Sequence, residues 1–203
     1  MSVITISREL GSEGTRVAEM VAQHFATHCV DKEVLAEMAR QAGVPVEVIA
    51  EAEEKLLARP MGVSDEMRAF WSVRRSDGRV LTEAYFVQHL SEAFKLLAAE
   101  GNVVFVGHGA QLVLKDHPGA LHIHLYAPLA VRAVRIQQRR NLPTSEAAQR
   151  IVRAADEQRR NWFRHFFNNA DWKNPKHYHL LIDTGRIPPE LASSLIVQAA
   201  QAT

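Results

Sequence analysis

What this chain of 203 residues lacks narrows its chemistry first. Cys29 is its single cysteine, which excludes an intrachain disulfide and any metal centre built on several thiolates. Lys and Arg number 24 against 23 Asp and Glu, so the formal charge of +1 gives no overall nucleic-acid signature. Any electrostatic signal has to be local. No apolar run is long enough to span a bilayer, and the N-terminal run reaches Arg8 and Glu9 too soon for a signal peptide. A cytoplasmic protein without a membrane partner is therefore expected. Internal repeats, low-complexity tracts and heptads are also absent. With 47% apolar and 23% charged residues the composition is that of a globular protein, and the length suits one domain over residues 1–203.

What is present is organised around residues 4–16. Ile4-Thr5-Ile6 reads as a β-branched strand, Gly11 and Gly14 open a turn, and Val17, Val21 and Phe25 recur at helical spacing. A strand, loop and helix joined this way aim backbone N–H groups and a helix N-terminus at one point, which suits phosphate. The Walker A pattern builds the same junction, yet no lysine follows Gly14 here. Two glycines alone would equally serve a turn with positive φ or close helix packing.

Downstream, His28-Cys29-Val30 reads as a short strand, and Asp31 as the cap of a helix over residues 32–41. A second helix carries Val48, Ile49 and Leu56, and the acidic excess of residues 33–66 reads as its solvated face. Periodicity fades over residues 59–79, a long connection or flap that contains Arg68, Arg74, Arg75 and Arg79 with Phe70 and Trp71 between them. A helix with Tyr85, Leu90, Phe94 and Leu97 inward follows and stops at Gly101. The continuous apolar run 102–106 predicts a buried parallel strand, ended by a second glycine turn, Gly107-His108-Gly109. Ligands of open parallel sheets gather at such carboxyl ends. Residues 120–126 alternate as another strand, with His122 and His124 on one face, a pair read as structural for want of a third metal ligand.

The strongest local charge lies at residues 131–165, with nine arginines and three acidic residues. Arg132, Arg135 and Arg139 share one helical face. After a break at residues 141–144, capped by Thr144 or Ser145, a second helix carries Arg150, Arg153, Asp156, Arg159 and Arg160. Such helices could clamp a polyphosphate, bind nucleic acid or simply be solvated. The stripe Trp162, Phe163, Phe166 and Phe167 serves the core or a contact in a homodimer. Residues 180–182 form a last strand, and an amphipathic helix closes the chain.

In order along the chain, Ile4-Thr5-Ile6-Ser7-Arg8-Glu9 with Gly11-Ser12-x-Gly14, Val30-Asp31-Lys32-Glu33, Val106-Gly107-x-Gly109-Ala110 and Tyr126-Ala127-Pro128-Leu129 form an ordered set. It continues with Arg132, Arg135, Arg139, Asp156, Arg159, Trp172, Pro175, Tyr178 and Leu180-x-Ile182. This set resembles the cytidylate kinase-like family, a branch of the P-loop nucleoside monophosphate kinases. The resemblance implies an α/β, three-layer αβα P-loop NTPase fold with a parallel sheet and an arginine-rich helical lid over residues 128–167. It implies transfer of the ATP γ-phosphoryl group to a nucleoside monophosphate such as CMP, with Mg²⁺. Gly11, Ser12, Gly14 and Thr15 would cradle phosphate, with Arg8 or Arg16 replacing the lysine. Asp31, Lys32, Gly107, His108 and Gly109 would lie on the acceptor side. Thr15 and Asp31 would serve the metal, and Arg132, Arg135, Arg139, Arg153 and Arg159 would supply the lid.

The chain departs from that pattern at three places, one being that Val103 to Val106 ends without the acidic residue that would help place Mg²⁺, for which Asp31 could stand in. Glu13 stands where relatives carry glycine, and positive φ there would cost roughly 1–2 kcal/mol. His108 replaces an arginine and cannot grip phosphate with a planar fork. The alternative is a catalytically impaired nucleotide- or anion-binding protein that keeps the fold. Nucleic-acid binding by the arginine helices is a third reading, disfavoured by the near-zero net charge.

Overall fold

The computed structural model describes residues 2–58, 73–74 and 80–203. The expected flap at 59–79 lies outside the described residues, except for the backbone of a two-residue strand, β3. The element order is β1 (Val3–Arg8), α1 (Gly14–His24), β2 (Cys29–Val30), α2 (Glu33–Ala42), α3 (Val46–Ala58), β3 (Val73–Arg74) and β4 (Val80–Leu81). Then come α4 (Glu83–Ala99), β5 (Val103–Val106), α5 (Ala110–Val113), β6 (Ala120–Tyr126), α6 (Leu129–Arg140), α7 (Ser145–Phe166), a 3₁₀ turn (Pro175–His177), β7 (Leu180–Asp183) and α8 (Pro189–Ala202).

Five strands form one parallel sheet in the order β2-β5-β1-β6-β7, while β3 and β4 pair antiparallel by themselves. Alternation along β1 assigns the two faces. Ile4 and Ile6 join Val17, Val21 and Ile196 of α1 and α8, whereas Val3 belongs with Met38, Phe86, Phe94 and the aromatics of α7. Helices thus cover both faces, giving the three layers expected from the buried apolar strands. A smaller core of Ala133, Ile136, Ala148 and Val152 holds α6 against α7.

β1 lies beside β5, with Ile6 opposite Val106, so the two glycine turns emerge side by side at the carboxyl end of the sheet. Thr144 caps α7 by accepting from the Ala147 N–H at 3.1 Å. Asp31 does not cap α2: its own N–H donates to Glu33 at 2.8 Å, and its carboxylate is drawn to Arg8 and His108. The longer-range charges outcompete a cap that local sequence suggests.

His122 and His124 are structural in placement. His122 Nδ1 bonds Thr5 Oγ1 at 2.8 Å and its ring stacks on His179, while His124 stacks on Tyr178 at 4.9 Å. Burial first, and nearby cationic groups second, push both imidazoles down to about 4. An unfolded histidine titrates near 6.5. Between those values the unfolded chain binds more protons, so stability rises with pH across that window and is lost as pH falls from about 6.5 to about 4. Each shift is worth on the order of 3 kcal/mol over the whole window. Thermal unfolding at pH 5 should therefore begin well below that at pH 7.5, and His124→Phe should shrink the difference. An equal pH dependence in wild type and His124→Phe would show that His124 is not held neutral.

Candidate active site

A cavity of about 390 Å³ opens at the carboxyl ends of β1 and β5, between the two glycine turns and helices α3, α6 and α7. The first turn is shaped by positive φ at Gly11 (84°) and Glu13 (58°), after which α1 begins. Gly11 is required because a Cβ there would meet the Arg132 carbonyl oxygen at 2.8 Å. Ser12 is fully buried and donates to the Glu9 carbonyl at 2.8 Å, so its hydroxyl holds the loop together and faces inward.

Arg8 ends β1 and runs through the middle of the site. A Cβ on Gly14 would lie 2.4 Å from Arg8 Cβ, and one on Gly107 would lie 2.3 Å from its Nη1. The two glycines thus form a slot through which the side chain passes. Its Nη2 donates to Asp31 Oδ2 at 2.8 Å, while His108 Nε2 lies 3.1 Å from Asp31 Oδ1. Burial pushes the Asp31 carboxyl up, but the His108 hydrogen bond and the Arg8 guanidinium outweigh it and hold the group below its usual value. Arg16, the other candidate for the missing lysine's charge, is paired with Glu190 at 2.5 Å on the exposed surface. Arg8 is the cation set inside the loop.

Five arginines are expected in a lid, and the structure divides them. Arg139 and Arg159 line the cavity. Arg132 and Arg135 lie behind the glycine loop instead of over the cavity. Arg132 is 4% exposed, grips both oxygens of Asp156 at 3.0 and 2.9 Å, and sits 3.1 Å from Glu9. Arg135 donates to the Gly11 carbonyl at 3.2 Å and the Thr184 carbonyl at 2.7 Å. Thr184 Oγ1 donates to the Ser12 carbonyl at 2.8 Å and so pins the loop from the same side. Arg153 is exposed and outside the cavity lining, as is Lys32, whereas Thr15, Arg16, Asp31, Gly107, His108 and Gly109 line it.

Among the described residues that line the cavity, Arg159 is a cation without an ion pair. Its Nη1 is buried without a hydrogen-bond partner, and its guanidinium lies 5.2 Å from the centre of the Trp172 ring. Burial, then repulsion from Arg8, push it down to about 10 despite Asp156. It stays protonated at neutral pH. Glu13, by contrast, is neutralised: its Oε1 takes Arg139 Nη2 at 2.6 Å. Behind these groups, Glu9 accepts from Lys173 Nζ at 2.5 Å as well as facing Arg132. Lys173 and Thr184 are missed by local sequence reasoning. Only the resemblance touches their neighbourhood, through Trp172 and Ile182.

Among the described residues no three His, Cys, Asp or Glu side chains are grouped to hold a metal. Thr15 and Asp31 do share the cavity. One hydroxyl and one carboxylate with spare lone pairs fit Mg²⁺, an ion held chiefly by phosphate oxygens and water.

The sequence profile of the cytidylate kinase-like family matches residues 3–186. The chain belongs to the cytidylate kinase-like family. It is 26% identical over 198 residues to a cytidylate kinase of Pyrococcus horikoshii, across 97% of this chain and 87% of that enzyme. It is also 26% identical over 105 residues to a cytidylate kinase of Sulfurisphaera tokodaii, a match spanning 52% of this chain and 57% of that enzyme. Among solved structures, an uncharacterized protein from Eubacterium ventriosum superposes with a TM-score of 0.69 at 18% identity, over 100% of both chains. Shikimate kinase from Acinetobacter baumannii, in complex with shikimate, gives 0.51 at 16% identity over 100% of this chain and 94% of that one. This family member therefore has a kinase-like three-layer fold, with its glycine loop at the same end of the sheet as the cavity. Among its described residues no helix is long and apolar enough to cross a membrane.

Proposed function

We infer that the chain is a phosphotransferase that moves the γ-phosphoryl group of ATP to a nucleoside monophosphate of the CMP type. The observation that carries this reading is Arg159, a residue of the cavity lining whose guanidinium is buried with an unpartnered N–H. An anion is what such a group lacks. The backbone N–H groups of Gly11 and residues 13–15, at the N-terminus of α1, cradle the donor's phosphates, while the Ser12 N–H is spent on the Glu9 carbonyl at 3.1 Å. Arg8, held in its slot, neutralises charge at the loop in place of the lysine. Thr15 and Asp31 would hold Mg²⁺, which would supply charge neutralisation to the phosphates. Phosphoryl transfer asks mainly for positioning and charge neutralisation. An acceptor phosphate oxygen forms the new P–O bond while the bond to the departing ADP oxygen breaks. Arg159 stabilises the charge on the transferring group.

A second reading, a nucleotide- or anion-binding protein without transfer, is favoured by one observation: Glu13 sits in the loop with positive φ and occupies Arg139. Incubation with Mg·ATP and a panel of nucleoside monophosphates separates the two. ADP formed with an equal amount of a nucleoside diphosphate supports transfer; a raised melting temperature without product supports binding alone. Glu13→Gly removes the positive-φ strain, worth roughly 1–2 kcal/mol, and frees Arg139. We expect it to tighten Mg·ATP binding about tenfold in a calorimetric titration, since it removes a negative charge beside the phosphates, a repulsion of roughly 1–4 kcal/mol at about 4 Å. An unchanged affinity would mean that the Glu13 carboxylate is not felt by the bound phosphates.

A further inference from the structure

The two edges of the parallel sheet differ. β2 closes one with only two residues, Cys29–Val30, while β7 closes the other with Leu180–Asp183 and pairs, among the described residues, with β6 alone. His179 N–H donates to the His122 carbonyl at 2.7 Å, so by alternation Leu181 also turns its backbone groups to β6. The N–H and C=O of Leu180 and Ile182 then point out of the free edge. Proteins usually blunt such an edge with lysine, proline or a bulge. Here leucines flank it. Leu181 is 41% exposed on one face of the sheet. On the other face α1 lies over β5 and β1, and α8 beside it lies over β6. That helix packs Ala192 and Ile196 into the core and shares a hollow with α1 through Glu190, Ser193 and Val197. Leu191 and Leu195, 47% and 39% exposed, fall on the remaining flank of α8, on the side of the β7 edge.

The residues beside Leu181 decide what this edge fits. His179, Leu181 and Asp183 stand next to His122, His124 and Tyr126 of β6 and so share one face. Turned antiparallel about Leu181, this stripe is complementary to itself: Leu181 meets Leu181, and each His179 meets Asp183 of the second copy. Both ends have the chemistry for it. His122 N–H donates to His179 Nδ1 at 3.0 Å, which leaves the ring proton on Nε2 as a donor. Asp183 spends Oδ1 on the Gly185 N–H at 2.8 Å and keeps Oδ2 to accept. In the same register Leu180 and Ile182 of the second copy exchange N–H and C=O groups, which satisfies the outward backbone groups of both chains. We propose that β7 is the interface of a homodimer, two sheets joining antiparallel edge to edge about a two-fold axis at Leu181, with Leu191 and Leu195 of both α8 helices along the seam. None of these residues lines the cavity, so pairing leaves it open and does not depend on phosphoryl transfer.

Sedimentation velocity of the full chain, from about 1 to 100 µM, reads the dimer directly. Wild type should pass from monomer to dimer within or below that range. Leu181→Lys sets two like charges opposite each other and removes the central apolar contact, and should raise the dimer Kd about 100-fold. Asp183→Lys faces the His179 N–H with another donor and should raise it about tenfold. His179→Glu combined with Asp183→Lys makes the stripe complementary again and should bring the Kd back to within about threefold of wild type. All three variants should keep the wild-type circular dichroism spectrum, which separates a lost dimer from a lost fold. A wild type that stays monomeric at about 100 µM overturns the proposal, as does a dimer whose Kd changes less than about twofold in Leu181→Lys. A double variant as weak as Asp183→Lys alone overturns the pairing about Leu181.

Discussion

Arg132→Met should lower the unfolding free energy by about 3–5 kcal/mol, the cost of removing one partner from a buried charge network. Three features set this magnitude. The guanidinium is 4% exposed, it is the bidentate partner of Asp156, and it stands 3.1 Å from Glu9, itself 5% exposed. Without it, Lys173 is left to balance two carboxylates, from 2.5 Å at Glu9 and 3.7 Å at Asp156. A domain of this size loses about 2–4 °C of melting temperature per kcal/mol, so a fall of about 6–20 °C is expected by calorimetry or denaturant titration. The Arg132 backbone also backs Gly11, so the surviving folded fraction should bind nucleotide more weakly. A melting temperature within 2 °C of wild type, a margin of about 1 kcal/mol at most, would show that the network is not a net support of the fold.

Arg8→Met should reduce phosphoryl transfer by about 10²–10³, the usual consequence of deleting one preorganised charge from a transition-state site. The loss should fall mainly on kcat, because Arg8 lies within the glycine loop, where the proposed function sets the phosphates. Arg8→Lys should recover part of the rate, since a point charge replaces the fork but cannot reach Asp31 and the loop with the same geometry. Gly107→Ala offers an independent route to the same defect. Its Cβ would fall 2.3 Å from Arg8 Nη1 at a backbone φ of +84°, so the guanidinium must move aside. Slower transfer with a weakened Arg8–Asp31 pair is expected from that change, and steady-state kinetics with Mg·ATP and CMP would read it. Full activity in Arg8→Met would leave the loop's cation unidentified, with Arg16 next in line.

How far the sequence discloses this site depends on the distance over which each feature is decided. The strand, glycine turn and helix at residues 3–24 are local, and their pattern is plain. So is β5 with its second turn, because a short apolar run between glycines has few other uses. The lid arginines are different. Arg132, Arg135 and Arg139 do share a face of α6, but which of them meets the cavity is settled by Glu9, Asp156, Thr184 and Glu13, all remote in sequence. Helical spacing finds the face and is silent about what lies across from it. Asp31 illustrates the same limit: a helix-capping position by local chemistry, it becomes the shared acceptor of Arg8 and His108 once β2 and β5 are neighbours. Glu53 reads in sequence as part of a solvated acidic face, and only the packing of α3 beside α7 turns it toward the cavity.

The most direct measurement is product analysis after incubating the full chain with Mg·ATP and CMP. A phosphotransferase with Arg8 in the loop and Arg159 above it gives ADP and CDP in equal amounts, and loses both in Arg8→Met. Bound nucleotide with no nucleoside diphosphate from CMP or any other monophosphate would contradict transfer and leave a binding protein on a kinase fold.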